Sequence, residues 1–214
     1  DILKERLTKY IRQIKDIQEL HKCNSAHIVI GGDLISGLIH PNLRLQNNEN
    51  VIDQVKIVSL YLREFIKELA PYFENIKVHS VSGNHSRITP AKEDHLKGEE
   101  LDALVHFNLG IMFENEPRVE ICNDNYIDDT INSFVTKSGR IFYVVHGDKD
   151  TPATVVPKLT MMTGIKPDGI IMHHRHRNGL DGDSKTKIIQ SGSVVGTDDY
   201  CVDHRITGEP EQAV

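Results

Sequence analysis

Disulfide-forming capacity is the first thing the chain lacks. Its three cysteines, Cys23, Cys122 and Cys201, are far apart and odd in number among 214 residues, so they do not form a disulfide framework. A reducing, cytoplasmic location is the expectation. Long apolar runs are missing as well. No stretch approaches the roughly 18 apolar residues of a bilayer-crossing helix, and no membrane partner is expected. The opening Asp1-Ile2-Leu3-Lys4-Glu5-Arg6 does not read as a signal peptide. Nor is there an excess of positive charge. The formal net charge is −6, whereas a protein that holds DNA mainly by neutralising phosphates is usually basic. A nuclease stays open, because bound divalent ions bring positive charge that a residue count omits. Repeats and low-complexity tracts are absent. With 38% hydrophobic and 26% charged residues, the chain has the composition and length of one well-buried globular domain.

Hydrophobic periodicity alternates between helical and strand spacing. Ile2, Leu3, Leu7, Tyr10, Ile11, Ile14, Ile17 and Leu20 make one apolar helical face over 2–22. A buried strand is predicted over 26–31, a polar loop over 37–50, a second amphipathic helix over 51–70 closed by Pro71, and a strand over 76–82. Thr89-Pro90 predicts the start of another helical region, continued through 97–107. Beyond about residue 111 short strands take over, at 119–121, 133–135 and 141–146. A helix over 152–163 and strands near 169–172 and 186–191 complete the pattern. The predicted fold class is a single-domain α/β sandwich of two mixed β-sheets flanked by helices, one half mostly parallel and the other more antiparallel.

Four short motifs stand in order: Gly32-Asp33, Gly83-Asn84-His85, His146-Gly147 and His174-Arg175-His176. Each follows its own β-branched run: His27-Ile28-Val29-Ile30, Ile76-Lys77-Val78, Ile141-Phe142-Tyr143-Val144-Val145 and Ile170-Ile171-Met172. Four strands thus deliver metal-type ligands at their C-terminal ends, where open α/β sheets form sites. A carboxylate has two oxygens and can bridge two ions. Asn84 offers a neutral amide oxygen, and His146, His174 and His176 offer imidazole nitrogens. That donor mixture suits Mn, Fe or Zn better than Ca. Two divalent ions would activate a water and neutralise the phosphoryl oxygens in ester hydrolysis. On an extended segment His174 and His176 would point to one side.

The motif order resembles the calcineurin-like metallophosphoesterase superfamily, over about residues 26–195, and within it the DNA-repair exonuclease branch. The resemblance implies that Asp33 bridges two divalent ions, with Mn the first choice and Fe or Zn the alternatives. It implies that Asn84, His146 and His174 complete one ion site and that His176 belongs to the other. His85 matches the position that contacts the scissile phosphate, as general acid or transition-state stabiliser. The family's first motif, Asp-x-His at the end of a first strand, has no counterpart here. An upstream strand carrying it is expected, and the residues present favour one ion over two. A continuation past Val214 is also expected. Two smaller departures are His173, where the family has glycine, and Ser86, where acidic residues are common.

His40 and Arg87 are candidate substrate contacts, from the loops that follow Asp33 and His85. His21, His27, His79, His95, His106 and His204 are expected to be structural or exposed. Asp148 and Asp150 are expected to be solvated, and Met161-Met162 to pack in a core. Three functions compete. The first is a phosphodiesterase on nucleic acid, supported by the His40 and Arg44 loop, by Ser86, and by Gly192-Ser193-Val194-Val195-Gly196, which resembles a segment of the nuclease branch. The second is a phosphomonoesterase or protein phosphatase with the same ions. The third is a non-catalytic binding module.

Overall fold

In a computed structural model that describes residues 2–203 and 205–214, the chain divides into two units, Asp1–Asp124 with Val214, and Asn125–Ala213. His204 lies outside the described residues. Together the units make an α/β fold with two sheets, one of three strands and one of six, with helices from both units. No helix among the described residues is long and apolar enough to cross a membrane.

The first unit holds α1 (Ile2–His21), β1 (Ser25–Ile30), α2 (Pro41–Gln46), α3 (Val51–Leu69), β2 (Asn75–Ser80), α4 (Leu101–Met112) and β3 (Val119–Ile121). Its sheet runs β1-β2-β3, and both pairings are parallel. Parallel pairing brings the ends of β1 and β2 out on the same side, which is what juxtaposes the two loops that follow them. Ile66, Leu69, Ile76, Val78 and Leu109 form the buried core, and Leu7, Tyr10, Ile11 and Ile14 of α1 pack against it. α3 starts where it does because the Asn50 side chain accepts from the N–H groups of Ile52 and Asp53. It ends before Pro71, which cannot continue a helix.

The second unit holds β4 (Tyr126–Asp128), β5 (Ile131–Val135), β6 (Ile141–Val145), α5 (Pro152–Thr163), β7 (Gly169–Met172), β8 (Gly179–Gly182), β9 (Lys187–Gln190) and α6 (Asp199–Asp203). Its sheet runs β4-β5-β6-β7-β9-β8. β6, β7 and β9 are parallel at the centre, and β4, β5 and β8 add antiparallel flanks. Tyr143, Val145, Val155, Leu159, Ile170, Met172 and Ile188 form its core. A capping box between Thr151 and Thr154 opens α5, and Gly164 at φ 73° closes it.

Three sequence expectations need correction. After Pro90 the described chain makes one 3-10 turn, Lys92–Asp94, and no α-helix until Leu101. Lys92, Glu93, Asp94, Lys97, Gly98, Glu99 and Glu100 leave that stretch without an apolar face to bury. The loop over 37–50 contains α2. Met161 and Met162 are 88% and 55% exposed, because α5 buries its other face through Val155 and Leu159.

Candidate functional site

In the first unit, β1 runs into Gly31 and Gly32, and the chain turns through Gly32 at φ 83° and Asp33 at φ 52°. A β-carbon on Gly32 would lie 2.5 Å from the Gly83 nitrogen, so only glycine lets the two loops approach this closely. β2 runs on to Gly83, and Asn84–Ser86 form a 3-10 turn. The N–H of His85 donates to Asp33 Oδ1 at 2.8 Å. His85 Nδ1 lies 3.3 Å from the Ser36 carbonyl oxygen. The His40 ring packs beside that of His85, centroids 4.8 Å apart. Ser86 is buried and its hydroxyl donates to the Gly83 carbonyl at 2.7 Å, which fastens the turn. Asp33, Asn84, His85 and His40 therefore belong to one pair of facing loops. Arg87 bends back into its own loop, where its guanidinium donates to the Pro90 carbonyl at 3.4 Å.

One residue here was not singled out from the sequence. Asp102, 3% exposed on α4, accepts the N–H groups of Asp33 at 2.9 Å and Gly83 at 2.9 Å through Oδ2, and that of Leu34 at 3.3 Å through Oδ1. A usable signal existed. Asp102 shares a helical face with Val105, His106 and Leu109, and an acid on an apolar stripe needs partners.

In the second unit, β6 delivers His146, which is 1% exposed, and the chain then turns at Gly147 with φ 108°. β7 delivers the run from His173. The N–H of His173 donates to the His146 carbonyl at 3.0 Å, which locks the two strand ends together. His174 Nδ1 and His146 Nε2 face each other at 3.2 Å. Two imidazoles on one ion, each about 2.0–2.1 Å from it, have nitrogens about 3.0–3.4 Å apart, so the pair is spaced as co-ligands would be. The segment is not extended, contrary to the sequence expectation. His174 and His176 have φ of 56° and 54°, and the Arg175 N–H closes a three-residue turn on the His173 carbonyl at 2.5 Å. Left-handed backbone is uncommon outside glycine and concentrates at functional sites. Asp33, His174 and His176 are three of the five such positions among the described residues.

Glu209 holds the carbonyl of His176 through its own N–H at 2.7 Å, and the N–H of Asn178 through Oε2 at 2.5 Å. Burial, together with the neighbouring His146, pushes the His173 imidazole down to about 3, and its Nε2 has no hydrogen-bond partner among the described residues. Asp150 pairs with Lys158 at 3.2 Å. Three of the other histidines have structural partners: His27 Nδ1 with His79 Nε2 at 2.9 Å, and His95 Nε2 with Glu100 at 2.7 Å.

No family model matches the sequence, and no curated protein matches it significantly. Among solved structures it is similar to an archaeal phosphodiesterase, at 14% identity and a TM-score of 0.41, over 87% of this chain and 78% of that one. It is also similar to a single mutant of Vps29 from Entamoeba histolytica, at 15% identity and a TM-score of 0.38, over 83% and 79% of the two chains. Vacuolar protein sorting 29 from Cryptosporidium parvum follows, at 13% identity and a TM-score of 0.35, over 78% and 74%.

Proposed function

We propose that the chain is a metal-dependent phosphoesterase that hydrolyses phosphodiester bonds, with nucleic acid as its substrate class, in the manner of the DNA-repair exonucleases. The observation that carries this reading is the pairing of His146 Nε2 with His174 Nδ1 at 3.2 Å, delivered by two adjacent parallel strands. The donor set fits divalent Mn, Fe or Zn: imidazoles at His146, His174 and His176, a carboxylate at Asp33 and an amide oxygen at Asn84. When bound, such ions supply an activated water and neutralise phosphoryl charge. Asp33 Oδ1 accepts the His85 N–H, which orients the carboxylate that would hold a divalent ion. His85, with Nδ1 turned to the Ser36 carbonyl, would present Nε2 to the leaving oxygen as general acid. His40 packs beside it with its ring tilted and would steady the substrate on the same loop side.

Mn titration and a hydrolysis screen test the reading. The expected result is Mn-dependent release of nucleotides from DNA or RNA, with Mn binding weakened in both His146→Ala and Asp33→Asn. Release of inorganic phosphate from phosphopeptides without nucleotide release would keep the chemistry and change the substrate to a phosphomonoester. A protein that binds no Mn would instead be the binding module.

A further inference from the structure

α4 buries two polar side chains one turn apart, Asp102 and His106, at 3% and 6% exposure beside Val105 and Leu109. Burying such groups is costly unless they are hydrogen-bonded, and both are. Asp102 takes the N–H groups of Asp33, Leu34 and Gly83. His106 Nδ1 lies 2.8 Å from Ser80 Oγ, and its Nε2 lies 3.2 Å from the Cys122 carbonyl and 3.1 Å from Asn123 Oδ1. One helix face thereby grips the chain just past β1, at the end of β2 and just past β3.

We infer that Asp102 is a positioning residue, a role that rests on the phosphoesterase reading above. It fixes how Asp33 and the Gly83-Asn84-His85 turn face each other, through backbone contacts alone. Consecutive N–H groups beside a left-handed residue form a concave anion nest. Here Asp33, at φ 52°, and Leu34 make that nest, and its anion is the Asp102 carboxylate. The same oxygen that holds Asp33 also holds Gly83, so the two loops are tied at one point. The ring closes when Asp33 Oδ1 accepts from His85. Two carboxylates thus brace two loops: Asp102 through the N–H groups of Asp33, Leu34 and Gly83, and Asp33 through the N–H of His85. Hydrogen bonds to a charged acceptor are the stronger class, which suits a left-handed aspartate that must not swing.

The variant Asp102→Asn tests this. Its amide keeps one acceptor oxygen and turns an NH2 toward N–H donors. The expected result has three parts: faster hydrogen exchange at the amides of Asp33, Gly83 and His85, Mn affinity lowered about 10–100-fold, and kcat lowered at saturating Mn with KM little changed. A variant that melts earlier, yet keeps wild-type exchange at those amides, wild-type Mn affinity and wild-type kcat per folded molecule, overturns the proposal. Should Asp102→Asn not fold, Asp102→Glu keeps the charge, lengthens the reach by one methylene and is read in the same way. If the wild-type protein binds no Mn, the phosphoesterase reading falls, and the exchange measurement alone decides whether Asp102 braces the loops.

Discussion

A β-carbon added to Gly83 would lie 2.1 Å from Asp33 Oδ1 and 2.3 Å from the Asp33 backbone nitrogen. Gly83 has φ −98°, which alanine adopts freely, so the demand is for space and not for conformation. The neighbour is backbone and cannot give way cheaply. Gly83→Ala is expected to lose about 1–3 kcal/mol of stability from overpacking. It should also weaken Mn binding, because the displaced group is the proposed bridging carboxylate. Chemical denaturation and Mn titration on the same preparation check both effects.

His85 contacts Asp33 through its backbone N–H. Removing the ring therefore leaves the Asp33 carboxylate held. His85→Ala is expected to keep wild-type Mn content while turnover falls by about 100- to 10,000-fold, the range for a lost general acid. Metal analysis alongside phosphodiester hydrolysis separates the outcomes. Loss of metal together with turnover would make the imidazole a ligand.

Much of this arrangement was legible in the sequence because it is local. Each candidate ligand follows a β-branched run within a few residues, and glycine marks the turns at Gly32, Gly83 and Gly147. The helix predicted over 51–70 appears as Val51–Leu69, since its apolar face, its cap and Pro71 all agree. What stayed hidden depends on distant partners. Asp102 gains its meaning from N–H groups at Asp33 and Gly83, which no local pattern connects to it. The left-handed turns at His174 and His176 were misread as extended, because nothing local demands them. The one at His176 coincides with a Glu209 contact supplied by the last part of the chain. β4 and β8 were missed because they are short flanking strands, and their Tyr126 and Leu180 are 37% and 73% exposed.

His79 and His27 bond ring to ring at 2.9 Å, and acid should break them apart. Burial, then the neighbouring His27, Lys77 and His106, push His79 down to about 3. Burial and Lys77 lower His27 against an opposing pull from Glu120, and burial lowers His106 against its hydrogen bonds to Asn123 and Cys122. Unfolded histidines titrate near 6.5. As pH falls below that value the unfolded chain takes protons that the folded chain refuses, so stability drops. It is full above about pH 6.5 and is lost progressively toward the folded values. The thermal midpoint is expected to fall between pH 7.5 and pH 5 at constant ionic strength. His79→Gln should flatten that slope, whatever it does to the midpoint itself.

Glu209 ties the C-terminal segment to the loop of His176, with its backbone N–H on the His176 carbonyl and its side chain on the Asn178 N–H. Gly192 makes room for this strap, since a β-carbon there would lie 2.1 Å from the Glu209 carbonyl oxygen. Glu209→Ala removes the side-chain contact and leaves the backbone contact in place. The carboxylate is exposed, so the expected cost in global stability is at most about 1 kcal/mol. The local effect should be larger, because Glu209 then keeps only its backbone contact to His176 and loses the one to Asn178. Faster amide exchange at Asn178 is expected. So is selective weakening of one Mn-binding step, the one assigned to His176, with the step that uses His146 and His174 unchanged. Uniform weakening of all Mn binding would show that the strap supports the whole unit and not His176 in particular.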